Sequence, residues 1–151
     1  MHMGTILISQ SMKGLLEQFD LGESQIFELP LYDASKVYPG GRVDADRTKT
    51  DPRRWFLLHI LEKRDALLPE FCVGLHNSTA KLPDKPPHWS INHDVPPELT
   101  IDPDAVGAGD LWRDPKASQF LFFSDALKRE IKAQKMKARL LVFKRCKFPD
   151  G

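Results

Sequence analysis

Apolar positions in this chain fall into a few short runs, separated by long polar or proline-bearing stretches. Phe120-Leu121-Phe122-Phe123 is apolar and aromatic, which suits a buried strand. Ser124 follows, whose hydroxyl can accept from a free backbone N–H at a helix start, and Asp125 sits well against the positive helix end. Ala126 to Met136 is rich in helix formers, with Leu127 and Ile131 four apart on one face. Lys128, Arg129, Lys132 and Lys135 fall mostly on the other faces. Leu140-Leu141-Val142-Phe143 reads as a second strand, so this end of the chain predicts strand, helix, strand.

The other end repeats the pattern. Thr5-Ile6-Leu7-Ile8 reads as a strand, Ser9 as a cap, and Met12, Leu15, Leu16 and Phe19 as a helical apolar stripe. Gly22 is placed to stop that helix in a left-handed conformation. Ile26 to Leu31 is the returning strand. Superposing Ser9 on Ser124 aligns Met12 with Leu127 and Leu16 with Ile131. Any two strand–cap–helix units look alike to this degree; the sharper reading is a pseudo-symmetric fold whose ends pack side by side.

Between the ends the pattern is less regular. Tyr32 to Arg54 is polar, carries Pro39-Gly40-Gly41, and reads as loop. Trp55-Phe56-Leu57-Leu58-His59-Ile60-Leu61 reads as a central strand covered on both faces, with His59 a core histidine. Phe71 to Leu75 is a short strand or edge piece. Asn77 to Pro97 holds Pro83, Pro86, Pro87, Pro96 and Pro97 and predicts little regular structure, because each proline removes a donor and restricts its predecessor. Leu99-Thr100-Ile101 is a short strand candidate, Asp102-Pro103-Asp104 a turn, and Gly107 and Gly109 mark another. The expected fold class is α+β: a single domain over residues 3–148 with a mixed sheet, strand–helix–strand units at both ends and a proline-rich irregular middle. Met1-His2 ahead of Met3 reads as an expression-vector remnant.

Composition narrows the function classes. The net charge is +1, and a near-neutral chain is not built as a general nucleic-acid binder. Charge is uneven, however. His93 to Asp110 carries five acids and no Lys or Arg, whereas the tail Lys144-Arg145-Cys146-Lys147 is basic, which predicts a dipolar molecule. Cys72 and Cys146 are too few for a disulfide scaffold and fit reduced thiols in a cytoplasmic protein; a single bridge stays open. No apolar run is long enough to cross a bilayer, and no secretory signal is visible at the start.

No catalytic constellation stands out. A glycine-rich phosphate loop, a Cys-x-x-Cys pair and a His-Glu-x-x-His helix are all missing from the sequence. His88, His93 and Asp94 bring two imidazoles and a carboxylate into one short stretch and are the candidate set for a small metal-dependent hydrolase. Asp102 and Asp104 read as paired carboxylates or as a turn. Lys128, Arg129, Lys132 and Lys135 offer a basic helix face for nucleic acid, or an ordinary wet surface. No cofactor is implied.

The order of parts carries a resemblance. A strand with Ser and an amphipathic helix is followed by Trp55-Phe56-Leu57-Leu58-His59-Ile60-Leu61 with Asp65-Ala66-Leu67. Then come Asp110-Leu111-Trp112-Arg113 and Phe122-Phe123-Ser124-Asp125-Ala126-Leu127-Lys128. This resembles the bacterial polymorphic-toxin immunity proteins, immunity class eleven. It departs from them where the last helix ends, since Met136-Lys137-Ala138-Arg139 has no glycine. The resemblance implies a cytoplasmic, non-enzymatic antidote that binds a cognate secreted toxin, often a nuclease, and occludes its active site. A nuclease cleft is positive, so the expected contact residues are Asp94, Glu98, Asp102, Asp104 and Asp110, with Trp89 or Trp112 as aromatic anchor.

Overall fold

The computed structural model describes residues 5–29, 54–136 and 144–149. The fold is α+β. β1 (Thr5–Ser9) runs straight into α1 (Gln10–Leu16), and the chain returns as β2 (Gln25–Leu29). The Ser9 hydroxyl accepts from Met12 N–H at 3.3 Å and caps α1. The helix ends at Leu16, and Gly22 serves the turn into β2 instead of the helix end; its φ is +57°. β3 (Trp55–His59) lies between β1 and β2, antiparallel to both. β1 and β2 therefore run in the same direction, with α1 crossing from one to the other over one face of the sheet.

Register decides what that sheet buries. Ile8 pairs with Phe56, and Leu58 lies between Ile6 and Ile26, all of them on the face that meets the helices. The alternate residues point the other way. There Leu57 sits between Leu7 and Phe27, which are 46% and 47% exposed. The expectation of a strand covered on both faces is corrected: β3 alternates buried and half-buried positions, as an antiparallel sheet with one wet face does. His59 lies on the outer face, half-buried, and is not a core residue.

The two ends do meet, through their helices. Leu15 and Leu16 of α1 share one core with Leu127 and Ile131 of α3 (Asp125–Ala133). The Ser124 hydroxyl accepts from Leu127 N–H at 3.1 Å, so both helices start on a serine cap. The strands do not share a sheet: β7 (Phe122–Phe123) pairs antiparallel with β6 (Leu111–Trp112) in a separate hairpin. The expected strand over 140–143 and the loop over 32–53 lie outside the described residues.

A second core forms around Leu67, Ile101, Trp112, Ala117 and Phe122. The β6–β7 hairpin is the wall between the two cores. Leu111 and Phe123 belong to the first; Trp112 and Phe122 belong to the second, stacked with ring centroids 5.7 Å apart.

The proline-rich stretch is more regular than its composition predicts. β4 (Leu75–Asn77) and β5 (Trp89–Ile91) form a hairpin, with Pro83, Pro86 and Pro87 confined to its loop. Gly74, just before β4, has φ +73°, and a Cβ there would stand 2.9 Å from the Val95 carbonyl oxygen. Leu99 to Ile101 is the middle rung of a small ladder. Val73 and Glu98 exchange backbone bonds at 2.9 and 3.0 Å on one side. On the other, Lys147 N–H donates to Leu99 at 2.8 Å and Ile101 N–H to Lys147 at 3.0 Å.

Candidate functional site

Cys72 is extended and packs inward, while Phe71, the last residue of the 3-10 turn Pro69–Phe71, and Val73 are exposed on either side of it in sequence. They are 57% and 49% exposed, and Phe148, at the far edge of the same ladder, is 55% exposed. An open groove of about 710 Å³ runs between Phe71 and Phe148, floored by Thr100 and flanked by Arg145. Thr100 itself is buried, its hydroxyl donating to the Phe71 carbonyl at 2.9 Å. Phe71 and Phe148 thus stand in water on either side of one groove, with Val73 exposed two residues from Phe71, where single exposed residues would carry no message.

The expected contact residues divide around this face. Glu98 lies on it, between Val73 and the tail, and is ion-paired with Lys147. The hydrogen bond from Lys147, and then its charge, hold the Glu98 carboxyl below the usual carboxylate range. Asp94 is exposed in the turn after β5. Asp102 caps α2 (Pro103–Val106), accepting from Asp104 N–H at 2.9 Å, so one of the supposed paired carboxylates is a structural cap; Asp104 is exposed in the first turn. Trp89 is half-buried against the second core, its carbonyl accepting from Gln119 Nε2 at 2.7 Å.

Two residues are taken up by the fold, Trp112 by burial and Asp110 by its hydrogen bonds. Trp112 is 3% exposed, stacked on Phe122 with the Arg64 guanidinium 5.2 Å from its ring. It cannot reach a partner without opening the second core. Asp110 is committed to the fold: one carboxylate oxygen accepts from Asp20 N–H at 2.9 Å and the other from the Ser124 hydroxyl. It ties the turn after α1 to the cap of α3.

The dipolar picture also changes. The basic tail lies alongside residues 99–101, so the cations of 144–147 adjoin the acidic run and partly neutralise it. Sequence separation hid that neighbourhood.

His88, His93 and Asp94 do not form a metal site. Among the described residues no group of three or more His, Cys, Asp or Glu side chains could hold a metal ion. Both His88 ring nitrogens face serine hydroxyls, and His93 is exposed. On α3, Lys128 lies 4.0 Å from Asp125 and Arg129 Nε donates to the Asp125 carbonyl at 3.2 Å. Lys132 and Lys135 are exposed, with the apolar face of the helix buried beneath.

The thiols sit in the small ladder. Cys72 lies on one outer run and Cys146 on the other, with Leu99 between. Two strand spacings of roughly 4.8 Å each exceed the roughly 7 Å limit for Cα atoms of a disulfide. Both are free, and burial raises both pKa values, that of Cys146 to about 11.

Asp114 was not singled out by the sequence. It is fully buried, and its carboxylate accepts from the backbone N–H groups of Ala66, Leu67 and Lys116. The local signal was there in Asp114-Pro115, a cap followed by proline. The long-range bonds to Ala66 and Leu67 left no local trace. No helix of the described residues is long and apolar enough to cross a membrane. The chain matches no protein-family model, no curated protein and no solved structure.

Proposed function

We propose that this chain is an antidote protein of the polymorphic-toxin immunity kind, acting in the cytoplasm by docking on a cognate toxin and covering its active site. The observation that carries the reading is the exposed pair Phe71 and Phe148 across an open groove whose charged lining is Arg145 and Lys147, with exposed Val73 next to it on the run that bonds to Glu98. Binding energy at protein interfaces concentrates in a few large side chains that lose all contact with water. Here those side chains lie beside the acidic stretch expected to meet a cationic cleft.

The arrangement divides the labour. Glu98 is already paired with Lys147, so its charge adds little attraction. Asp94 and Asp104 are exposed and make no ion pair among the described residues. They steer encounter with a positive cleft, while the exposed apolar side chains set the residence time. Trp89 supports the β4–β5 hairpin from beneath, and Trp112 supports the second core.

The test is to search the reading frames beside this chain for a secreted protein with a variable C-terminal domain and to co-purify the chain with that domain. A stoichiometric complex in which the toxin loses activity supports the reading. A neighbouring toxin domain that stays active and unbound at micromolar concentrations rejects it.

A further inference from the structure

The β4–β5 hairpin is fastened to the short 3-10 turn Pro115–Ala117 through one imidazole. His88 Nδ1 lies 3.2 Å from the Ser78 hydroxyl oxygen, and His88 Nε2 lies 3.1 Å from that of Ser118. Ser78 Oγ is also 2.9 Å from the His88 carbonyl oxygen, which can only accept. A serine hydroxyl has one proton to give. Both Ser78 contacts are satisfied together only when that proton goes to the carbonyl and Nδ1–H donates to the hydroxyl oxygen. Neutral His88 then carries its proton on Nδ1 and a lone pair on Nε2. The Ser118 O–H donates into that lone pair.

We infer that Ser118 is a nucleophilic serine activated by His88 as general base, with Ser78 holding the tautomer, and that it takes an acyl group from a small activated ester. A nucleophile bonded to a base that is itself oriented by a third group is the arrangement this chemistry needs. The inference is independent of the docking role.

The pair is held in place from both sides. Ser118 follows the 3-10 turn directly, and its carbonyl accepts from the Arg113 guanidinium. One residue on, Gln119 Nε2 donates to the carbonyl of Trp89, the residue after His88. Consecutive residues 88–89 and 118–119 are thus bonded twice, which fixes the distance between base and nucleophile before any ester arrives. Ser118 and His88 are half-buried, and Ser78 is exposed.

In the reaction, Ser118 Oγ forms a bond to the acyl carbon as its proton passes to His88 Nε2. The ester C–O bond breaks, and the departing alkoxide takes that proton from His88. Water then attacks the serine ester by the same route, releasing the acid and restoring Ser118.

The experiment treats the whole protein with a fluorophosphonate probe and with p-nitrophenyl acetate, and locates adducts by peptide mass mapping. A phosphonyl adduct on Ser118 is expected, lost in S118A and formed about 100-fold more slowly in H88A. Nitrogen NMR of the untreated protein should find His88 protonated on Nδ1, and S78A should lose that preference and label more slowly. A native protein with no adduct on Ser118 overturns the inference, whatever the variants do. So does His88 found protonated on Nε2, or an adduct whose rate is unchanged in a folded H88A. Those outcomes leave the three side chains as a fastening only.

Discussion

Leu67 donates its backbone N–H to a carboxylate oxygen of Asp114 at 2.6 Å, although the two are 47 residues apart in sequence. Ala66 N–H reaches the same oxygen at 2.8 Å, and Lys116 N–H the other at 2.8 Å. Asp114 sits directly after Trp112-Arg113, so this one carboxylate joins the β6 hairpin to the run before the 3-10 turn Pro69–Phe71. Removing it strands buried donors. Asp114→Ala is expected to cost about 3 kcal/mol or more, read as a lower urea midpoint, with Asp114→Asn costing less. A midpoint shared by Asp114→Ala and the parent contradicts this role.

The end of α3 is strained at a known place. Lys135 has φ +50°, the left-handed conformation that glycine tolerates best. Its N–H bonds to Lys132 and that of Met136 to Ile131, and Met136 packs on the same core as Ile131, which completes a Schellman end without the usual glycine. Lys135→Gly is expected to raise stability by about 0.5–1 kcal/mol, seen as a higher melting temperature. Lys135→Val should lower it, and the reverse order would dismiss the strain.

Cys146 titrates late. Burial, with a smaller contribution from Cys72, raises its pKa from 9.0 to about 11. A thiol favoured in its neutral form by folding stabilises the fold at pH values below its unfolded pKa. That contribution is lost as pH rises through about 11. Alkylation of Cys146 in the folded protein at pH 8 is therefore expected to be much slower than in urea, and no Cys72–Cys146 disulfide should appear under mild oxidation. Equal rates in the two conditions would contradict the burial, and a ready disulfide would contradict the ladder.

Glu98 supplies the acid limb. Its carboxyl is held low first by the hydrogen bond from Lys147 and then by that residue's charge. A depressed folded value means the contribution is present above the unfolded pKa and fades as pH falls through the folded one. The pair is exposed, so the effect on stability is small. Carbon NMR titration should place Glu98 below its ordinary value in the parent and return it there in Lys147→Ala. A midpoint that Lys147→Ala leaves in place would sink the assignment.

Local chemistry was readable in the sequence; neighbourhood was not. Ser9 and Ser124 were legible as caps because a cap is decided within a few residues. The apolar run over 55–61 announced a central strand, yet it could not say which faces are covered, since burial is set by what crosses over. Proline content hid the β4–β5 hairpin because prolines Pro83, Pro86 and Pro87 lie in its loop, where they break no ladder. Trp112 and Asp110 looked like surface candidates by composition and sequence position. Stacking on Phe122 buries Trp112, and bonds to Asp20 and Ser124 occupy the half-buried Asp110 carboxylate, through partners that nothing near either residue in sequence announces. Phe71, Val73 and Phe148 went unnoticed for the converse reason: nothing in an apolar residue's neighbours says that it faces water.

The dissociation constant for the proposed cognate toxin domain, sought in the reading frames beside this chain, tests the antidote reading head-on. A one-to-one complex is expected, weakened about 100-fold by Phe71→Asp with Val73→Asp. Asp94→Lys with Asp104→Lys should mainly slow association. No complex, or one whose affinity ignores all four substitutions, would contradict the docking face.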